Sequence, residues 1–134
     1  MTPDELRAIA LFEGASDAAI ERVSAEAGEL LAREGQIVAM EGDVGSGMFV
    51  ILDGRASVEW RGGSVDLNAG TFFGELTLLA PGGRRNARVR AATDMRCLAI
   101  PRETALELIE SEPPVALAML REVARRFASA LPDE

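Results

Sequence analysis

The chain has 134 residues and a formal net charge of −8, from 14 basic and 22 acidic side chains. All its basic residues are arginines, since lysine and histidine are absent. Without histidine it cannot supply the commonest ligand of zinc and haem sites or build a Ser-His-Asp triad, and without lysine it has no P-loop or Schiff-base lysine. A lone cysteine, Cys97, excludes an intramolecular disulfide. We therefore predict a binding protein rather than an enzyme, with no catalytic residue, no metal site and no cofactor.

Length and composition favour one globular domain over residues 1–134. Hydrophobic residues make up 48% of the chain and charged residues 27%, an ordinary balance for a domain with a buried core. No apolar run reaches the roughly 18 residues of a membrane-spanning helix, and the N-terminal residues are acidic where a signal peptide is basic. We expect a cytoplasmic chain without membrane insertion. Nucleic acid is disfavoured as a partner, because the net negative charge would repel a polyanion.

The first elements in chain order are helices within residues 3–27. Apolar residues recur at helical spacing from Pro3 to Ala10, which predicts a first helix. Ser16 has the position of an N-cap for a second helix over Asp17–Ala27. Gly28 ends this pattern.

Residues 29–100 read as short strands separated by turns. The apolar runs are Leu30–Ala32, Ile37–Ala39, Met48–Leu52, Ala56–Trp60, Val65–Leu67, Ala87–Thr93 and Met95–Ile100. Turn signals fall at Glu34-Gly35, Glu41-Gly42-Asp43, Asp53-Gly54, Gly62-Gly63 and Ala69-Gly70. Many short strands with glycines at the corners predict a small antiparallel roll.

Helical spacing returns in residues 102–131. Leu106 and Ile109 share one face of a first helix, and Pro113-Pro114 opens a second. The predicted fold class is α+β and mainly β: an antiparallel, jelly-roll-like β-roll flanked by N-terminal and C-terminal helices.

The segment from Phe72 to Ala91 carries the strongest functional signal. No acidic residue lies between Glu75 and Asp94, while four arginines do: Arg84, Arg85, Arg88 and Arg90. A helical turn after Gly74 would offer free N–H groups to a phosphate, and an arginine beyond the next loop could face the same anion. Glu75 would then accept hydrogen bonds from a hydroxyl pair such as that of a ribose. The alternative for the arginines is a solvated face.

This segment resembles the phosphate-binding cassette of the cyclic nucleotide-binding domain family, which includes transcription factors of the bacterial catabolite activator type, protein kinase A regulatory subunits and cyclic-nucleotide-gated channels. The family pattern is Phe-Gly-Glu-Leu, a loop, and then Arg, a small residue, Ala, any residue and Val. The chain has Phe73-Gly74-Glu75-Leu76 and Arg85-Asn86-Ala87-Arg88-Val89. A glycine-cornered hairpin typical of the family runs from Glu41 to Gly54. The resemblance extends from about Leu11 to Phe127.

The resemblance implies a role for the cassette residues. Arg85 would bind the cyclic phosphate, and Glu75 would accept a hydrogen bond from the ribose 2′-hydroxyl. Other contacts are expected from Phe73, Gly74, Leu76, Asn86 and Ala87. Asn86 stands where relatives usually have Ala, Ser or Thr, a position that bears on the choice between cyclic AMP and cyclic GMP, so this choice stays open.

The resemblance also implies contacts outside the cassette. Val58 and Val65 stand where family members line the base pocket, although strand valines are also ordinary core residues. Arg126 stands where some relatives reach the phosphate, the alternative being a solvated helix end.

The remaining apolar residues of note are interpreted as packing. We assign Trp60 and Cys97 to packing. Phe127, with Leu120 and Val123, is predicted to form the core stripe of the last helix, although some relatives use such residues as a mobile lid. Beyond this stripe, Ser129 is the polar group that could reach a base.

The function implied is a non-enzymatic sensor of a cyclic nucleotide, cyclic AMP or cyclic GMP, that passes ligand binding on through its C-terminal helices. The receiver would be a second copy or an effector domain, fused or separate. The sequence ends at Glu134, before the dimerisation helix and helix-turn-helix of the family's transcription factors, so no DNA-binding unit is expected. The alternative is a related module without ligand, used for dimerisation or docking.

Overall fold

A computed structural model describes residues 1–39, 47–79 and 87–130, which form two four-stranded antiparallel sheets with helices at both ends. The helices are α1 (Pro3–Arg7), α2 (Asp17–Glu26), α3 (Leu76–Leu79), α4 (Arg102–Ser111) and α5 (Pro113–Ala130), with a 3₁₀ helix at Ala10–Phe12. The strands are β1 (Gly28–Ala32), β2 (Ile37–Ala39), β3 (Gly47–Asp53), β4 (Arg55–Trp60), β5 (Gly63–Asn68), β6 (Phe72–Phe73), β7 (Arg88–Ala91) and β8 (Met95–Pro101). The predicted fold class, a β-roll between helices, is confirmed.

The N-terminal helices differ from the prediction at one boundary. Helix α1 ends at Arg7 rather than Ala10, because Ile9 adopts an extended backbone (φ −82°, ψ 126°) and the 3₁₀ helix starts after it. This break buries Phe12, which is 2% exposed. Helix α2 begins as predicted, with the Ser16 hydroxyl accepting a hydrogen bond from the Ala19 N–H at 3.2 Å.

The two sheets have the strand orders β1-β8-β3-β6 and β2-β7-β4-β5. Every predicted run within the described residues contains or overlaps a strand, and the turn signal at Glu41-Gly42-Asp43 lies outside those residues. Strand β6 was not predicted, because two residues are too short to show an alternating pattern. It forms through pairing with β3, in which Phe49 lies opposite Phe73.

The first sheet separates two apolar cores. Its inner face packs inside the roll, where the Phe73 ring stacks on Phe49 with centroids 5.0 Å apart and Cys97 is fully buried. Its outer face packs against the helices, and the two phenylalanines of β6 are divided between the cores, Phe72 lying in the outer one. Burial also raises the pKa of the Cys97 thiol to about 12, because an apolar surrounding disfavours the thiolate, so its assignment to packing is confirmed.

The core stripe of α5 differs from the predicted one. Val115 and Met119 are its buried residues, at 1% and 4% exposure, and Val123 is partly buried. Leu120 and Phe127 are 65% and 67% exposed, so the prediction that they belong to the core is wrong. The helical period was read correctly, but the buried face is rotated from the predicted one. Among the helices described, none has both the length and the apolarity needed to cross a bilayer.

Candidate functional site

A cavity of about 800 Å³ lies between the second sheet, the end of β6 and the C-terminal half of α5. This volume is within the range of small-ligand sites in proteins. The roll provides apolar side chains along one wall, and the charged groups come from the β6–α3 junction, from α5 and from Asp66 of β5. The cavity therefore joins an apolar surface to a polar end, as a site for an amphipathic small molecule requires.

The apolar wall follows from the alternation of strand residues. Val58 in β4 lies opposite Val65 in β5 and Val89 in β7. All three side chains line the cavity, since directly paired residues in a sheet share one face. Glu59 and Arg88 form the next pair along these strands and lie on the opposite face, where they make an ion pair at 2.7 Å.

The polar end begins where β6 stops. Gly74 has a φ of 90°, a left-handed conformation that favours glycine, and it turns the chain from β6 towards α3. Glu75 follows and is 5% exposed, which is unusual for a carboxylate. Its carbonyl accepts a hydrogen bond from the Leu78 N–H at 3.0 Å, closing the short helical turn. The turn thus places a buried acidic side chain against the cavity.

Arg126 is the α5 residue that reaches this end. Its Nη1 lies 3.0 Å from Glu75 Oε1, and the two side chains are 18% and 7% exposed. Its Nη2 donates to Thr71 Oγ1 at 2.7 Å and to the Phe72 carbonyl. The guanidinium carbon lies 4.8 Å from the centre of the Phe72 ring, a cation–π distance. Arg126 is therefore bound on several sides rather than solvated, and the alternative of a solvated helix end is wrong.

Glu122 completes this charge cluster from the same helix. Its Oε1 accepts from Arg126 Nε at 3.1 Å, and its two oxygens accept from Arg125 at 2.6 and 3.0 Å. The hydrogen bonds from Arg125, together with the charge of Arg126, lower the pKa of Glu122 from 4.5 to about 2. Arg126 is thus shared by two carboxylates, one on α5 and one at the β6–α3 junction.

The cavity brings together most of the predicted site residues within the described part of the chain. Its lining includes seven of them: Val58, Val65, Phe73, Gly74, Glu75, Ala87 and Arg126. Leu76 is the first residue of α3. Arg85 and Asn86 lie outside the described residues, so their roles stay predictions.

Trp60 and Phe127 line the cavity although the sequence favoured packing roles for them, whereas Ser129 was predicted as a polar group near the base. Trp60 was assigned to packing alone, but it is 43% exposed and lines the cavity. Phe127 lines it from α5, as the lid alternative expects. The Ser129 hydroxyl also lies at the cavity and donates to the Arg125 carbonyl at 3.0 Å. The sequence did contain a signal for the position of Trp60. It lies just before the short Gly62-Gly63 turn, so it is the last residue of its strand and lies at the rim of the roll.

The fold and this cavity define the chain as a β-roll domain with a ligand-sized site under its last helix. The sequence model of the cyclic nucleotide-binding domain matches residues 25–112, and the chain belongs to that family.

Individual relatives show how the chain compares with longer proteins. It is 33% identical over 109 residues to a cyclic nucleotide-gated potassium channel from Rhizobium etli, which covers 81% of the chain and 30% of the channel. It is 27% identical over 131 residues to a CRP-like cAMP-activated global transcriptional regulator from Mycobacterium tuberculosis, covering 92% of the chain and 58% of the regulator. The chain thus spans between about a third and three-fifths of these two proteins.

A solved structure with similar architecture is the catabolite activator protein of Thermus thermophilus. It superposes with a TM-score of 0.71 at 29% identity, over 90% of this chain and 59% of that chain.

Proposed function

We propose that this chain binds a 3′,5′-cyclic nucleotide in the cavity and transmits binding through its C-terminal helices, without catalysing a reaction. The observation that carries the proposal is the buried Glu75–Arg126 ion pair at the polar end of a cavity that has an apolar wall of strand valines. A cyclic nucleotide has matching parts, namely an apolar base, a ribose hydroxyl that can donate to a carboxylate, and a phosphate with one negative charge. Membership of the family supports the same ligand class.

The charge cluster provides a route from ligand to helix. A ribose hydroxyl that donates to Glu75 would compete with Arg126 for the same oxygens, and the ligand phosphate would offer Arg126 another anion. Binding would therefore redistribute the contacts that join α5 to the roll. A ligand that interacts differently with two positions of α5 shifts the population between them, and this shift is the proposed signal.

Arg85 is proposed as the phosphate-binding arginine on the strength of the cassette pattern. An arginine fork can bind a phosphate through two parallel hydrogen bonds, which a lysine cannot do. Cyclic AMP is the first ligand to test, with cyclic GMP as the alternative because of Asn86. The receiver of the signal, a second copy or an effector domain, stays a prediction.

The test is a thermal-shift and calorimetric panel with cyclic AMP, cyclic GMP and 5′-AMP. We expect stabilisation by a cyclic nucleotide, about 2.7 kcal/mol at 100 times Kd, and little effect of 5′-AMP. Arg85→Ala should weaken binding by about tenfold or more, since a hydrogen bond to a charged group is worth about 1.5–3 kcal/mol.

Arg88→Ala is the matched control for the arginine substitution. Arg88 follows closely in sequence, but its guanidinium pairs with Glu59 on the face of the sheet opposite the apolar wall. Its removal should leave the affinity unchanged. If none of the three ligands shifts the melting temperature of the unsubstituted chain, the proposal is wrong and the ligand-free docking module becomes the better interpretation.

A further inference from the structure

Trp60 occupies the rim of the apolar wall. It is the last residue of β4, two positions after Val58, so the alternation of the strand places both side chains on one face. Both line the cavity, together with Val65 from the neighbouring strand. The apolar wall therefore continues from the valines to an indole about 7 Å further along the strand, at the strand rise of about 3.3 Å per residue.

The residues around Trp60 leave much of the indole uncovered. Its cross-strand partner is Gly63, which has no side chain. Ala87 lies just before Arg88, the β7 residue that pairs with Glu59 of β4. It is small and lines the same cavity. A Cβ at Gly62 would lie 3.3 Å from the indole Nε1, and one at Gly63 would lie 3.7 Å from Cζ2. The ring thus packs along the glycine turn, and 43% of the residue is exposed.

The ligand class follows from this arrangement. A large, rigid aromatic ring that is fixed at a cavity rim and partly exposed offers a surface for a flat apolar group. In the proposed function, which this inference rests on, Glu75 takes the ribose at the polar end of the cavity. The base of the same nucleotide then extends past the valines towards the rim.

We propose that Trp60 binds the base of the cyclic nucleotide by stacking and is a specificity-determining residue of the site. Stacking between a base and an aromatic side chain is worth about 1–3 kcal/mol per base, and it does not depend on hydrogen-bond readout. A purine covers more of an indole than a pyrimidine does. The site should therefore prefer a purine cyclic nucleotide to cyclic CMP, and this preference should depend on Trp60.

The experiment compares two ligands on the full chain by calorimetry: cyclic AMP, and the methyl riboside 3′,5′-cyclic phosphate, which lacks a base. Trp60→Ala should weaken cyclic AMP binding about tenfold and leave the affinity for the base-free ligand unchanged. Trp60→Phe keeps a ring and should retain most of the affinity. The ratio between the Kd values for cyclic CMP and cyclic AMP should shrink in Trp60→Ala.

A fluorescence measurement and a control variant distinguish loss of stacking from a folding defect in Trp60→Ala. Trp60 is the single tryptophan of the chain, so its fluorescence in the unsubstituted protein reports stacking directly and should change on saturation with cyclic AMP but not with the base-free ligand. Leu31→Ala is the control, since Leu31 is a large exposed apolar residue, 69% exposed, on β1 in the other sheet. It should bind both ligands like the unsubstituted chain.

The outcomes separate this inference from the proposed function. Cyclic AMP binding that is equal in the unsubstituted chain and in Trp60→Ala, with unchanged fluorescence, overturns the stacking role and leaves the proposed function intact. If Trp60→Ala loses affinity equally for cyclic AMP and for the base-free ligand, the stacking role is also overturned, because a merely structural role predicts that result. Failure of the unsubstituted chain to bind any cyclic nucleotide overturns the proposed function, and the stacking role with it.

Discussion

Glu122 fixes the orientation of the arginine that reaches the cavity. It accepts from Arg126 Nε, while Nη1 and Nη2 of the same guanidinium face Glu75 and Thr71. A planar guanidinium with each nitrogen engaged can take up one orientation, which a lysine could not reproduce. The contact between α5 and the cavity therefore depends on a carboxylate that does not itself line it.

The low pKa of Glu122 predicts a loss of stability in acid. The pKa is about 2 in the folded chain against an ordinary value of 4.5, so unfolding takes up a proton between these values. The contribution of Glu122 is complete above about pH 4.5 and is lost as the pH falls towards 2. Between about pH 5.5 and about pH 3, the unfolding free energy from urea titrations should fall more in the unsubstituted chain than in Glu122→Gln.

Other carboxylates also have lowered pKa values, among them Glu26 beside Thr104 and Glu59 beside Arg88. They are present in both chains, so the difference between the two pH profiles isolates Glu122. Identical profiles would contradict the assignment.

At the scale of elements, the hairpin between β3 and β4 forms a tight corner of the roll. Gly54 has a φ of 90°, and a Cβ on it would lie 2.2 Å from the Asp94 carbonyl oxygen and 2.8 Å from Thr93 Oγ1. The same corner is joined to the β7–β8 turn, because the Arg55 N–H donates to Thr93 Oγ1 at 3.0 Å. Two turns thus pack against each other at a point where only glycine fits.

Gly54→Ala is expected to destabilise the chain more than Gly35→Ala. Both glycines have a left-handed φ, 90° and 88°, which costs an alanine about 1 kcal/mol. No atom lies within 4 Å of a Cβ at Gly35, whereas Gly54→Ala must also displace the backbone of the neighbouring turn, at a further cost of about 1–3 kcal/mol. The midpoints of urea unfolding measure the difference. Equal midpoints would show that the corner accommodates the added methyl group without loss of stability.

At the scale of the whole molecule, α5 is attached to the roll in two different ways. Its first half packs on the outer core through Val115 and Met119, which are buried. Its second half is held by the charge cluster around Arg126 and exposes Phe127 beside the cavity. Because apolar packing is independent of the ligand and the charge cluster is not, a ligand should act on the second half of the helix.

Hydrogen exchange measures this difference along α5. We expect amides of residues 120–130 to exchange faster than those of residues 115–119, and a saturating cyclic nucleotide to change exchange only in residues 120–130. Arg126→Ala should speed exchange there without ligand. Arg121→Ala, an exposed arginine of the same helix, is the control and should leave exchange unchanged. An effect of ligand confined to the roll would contradict transmission through α5.

Local patterns were sufficient for much of the fold. The strand runs, the cap at Ser16 and the turn at Gly54 depend on residues close in sequence, and the structure has them near the predicted places. The cassette motif likewise indicated Gly74 and Glu75, which line the cavity. It could do so because the turn at Gly74 and the side chain that it positions, Glu75, are neighbours in sequence.

The sequence by itself therefore determined the class of fold, the family and the polar end of the site. The tertiary structure decided which apolar side chains are exposed and which charges meet: it places Trp60 and Phe127 partly exposed at the cavity, and Arg126 on Glu75, 51 positions earlier in the chain. The physical reason is that burial and ion pairing depend on the surface that packs across from a residue. A strand or helix pattern identifies the faces of an element, but only the packed molecule shows what each face meets.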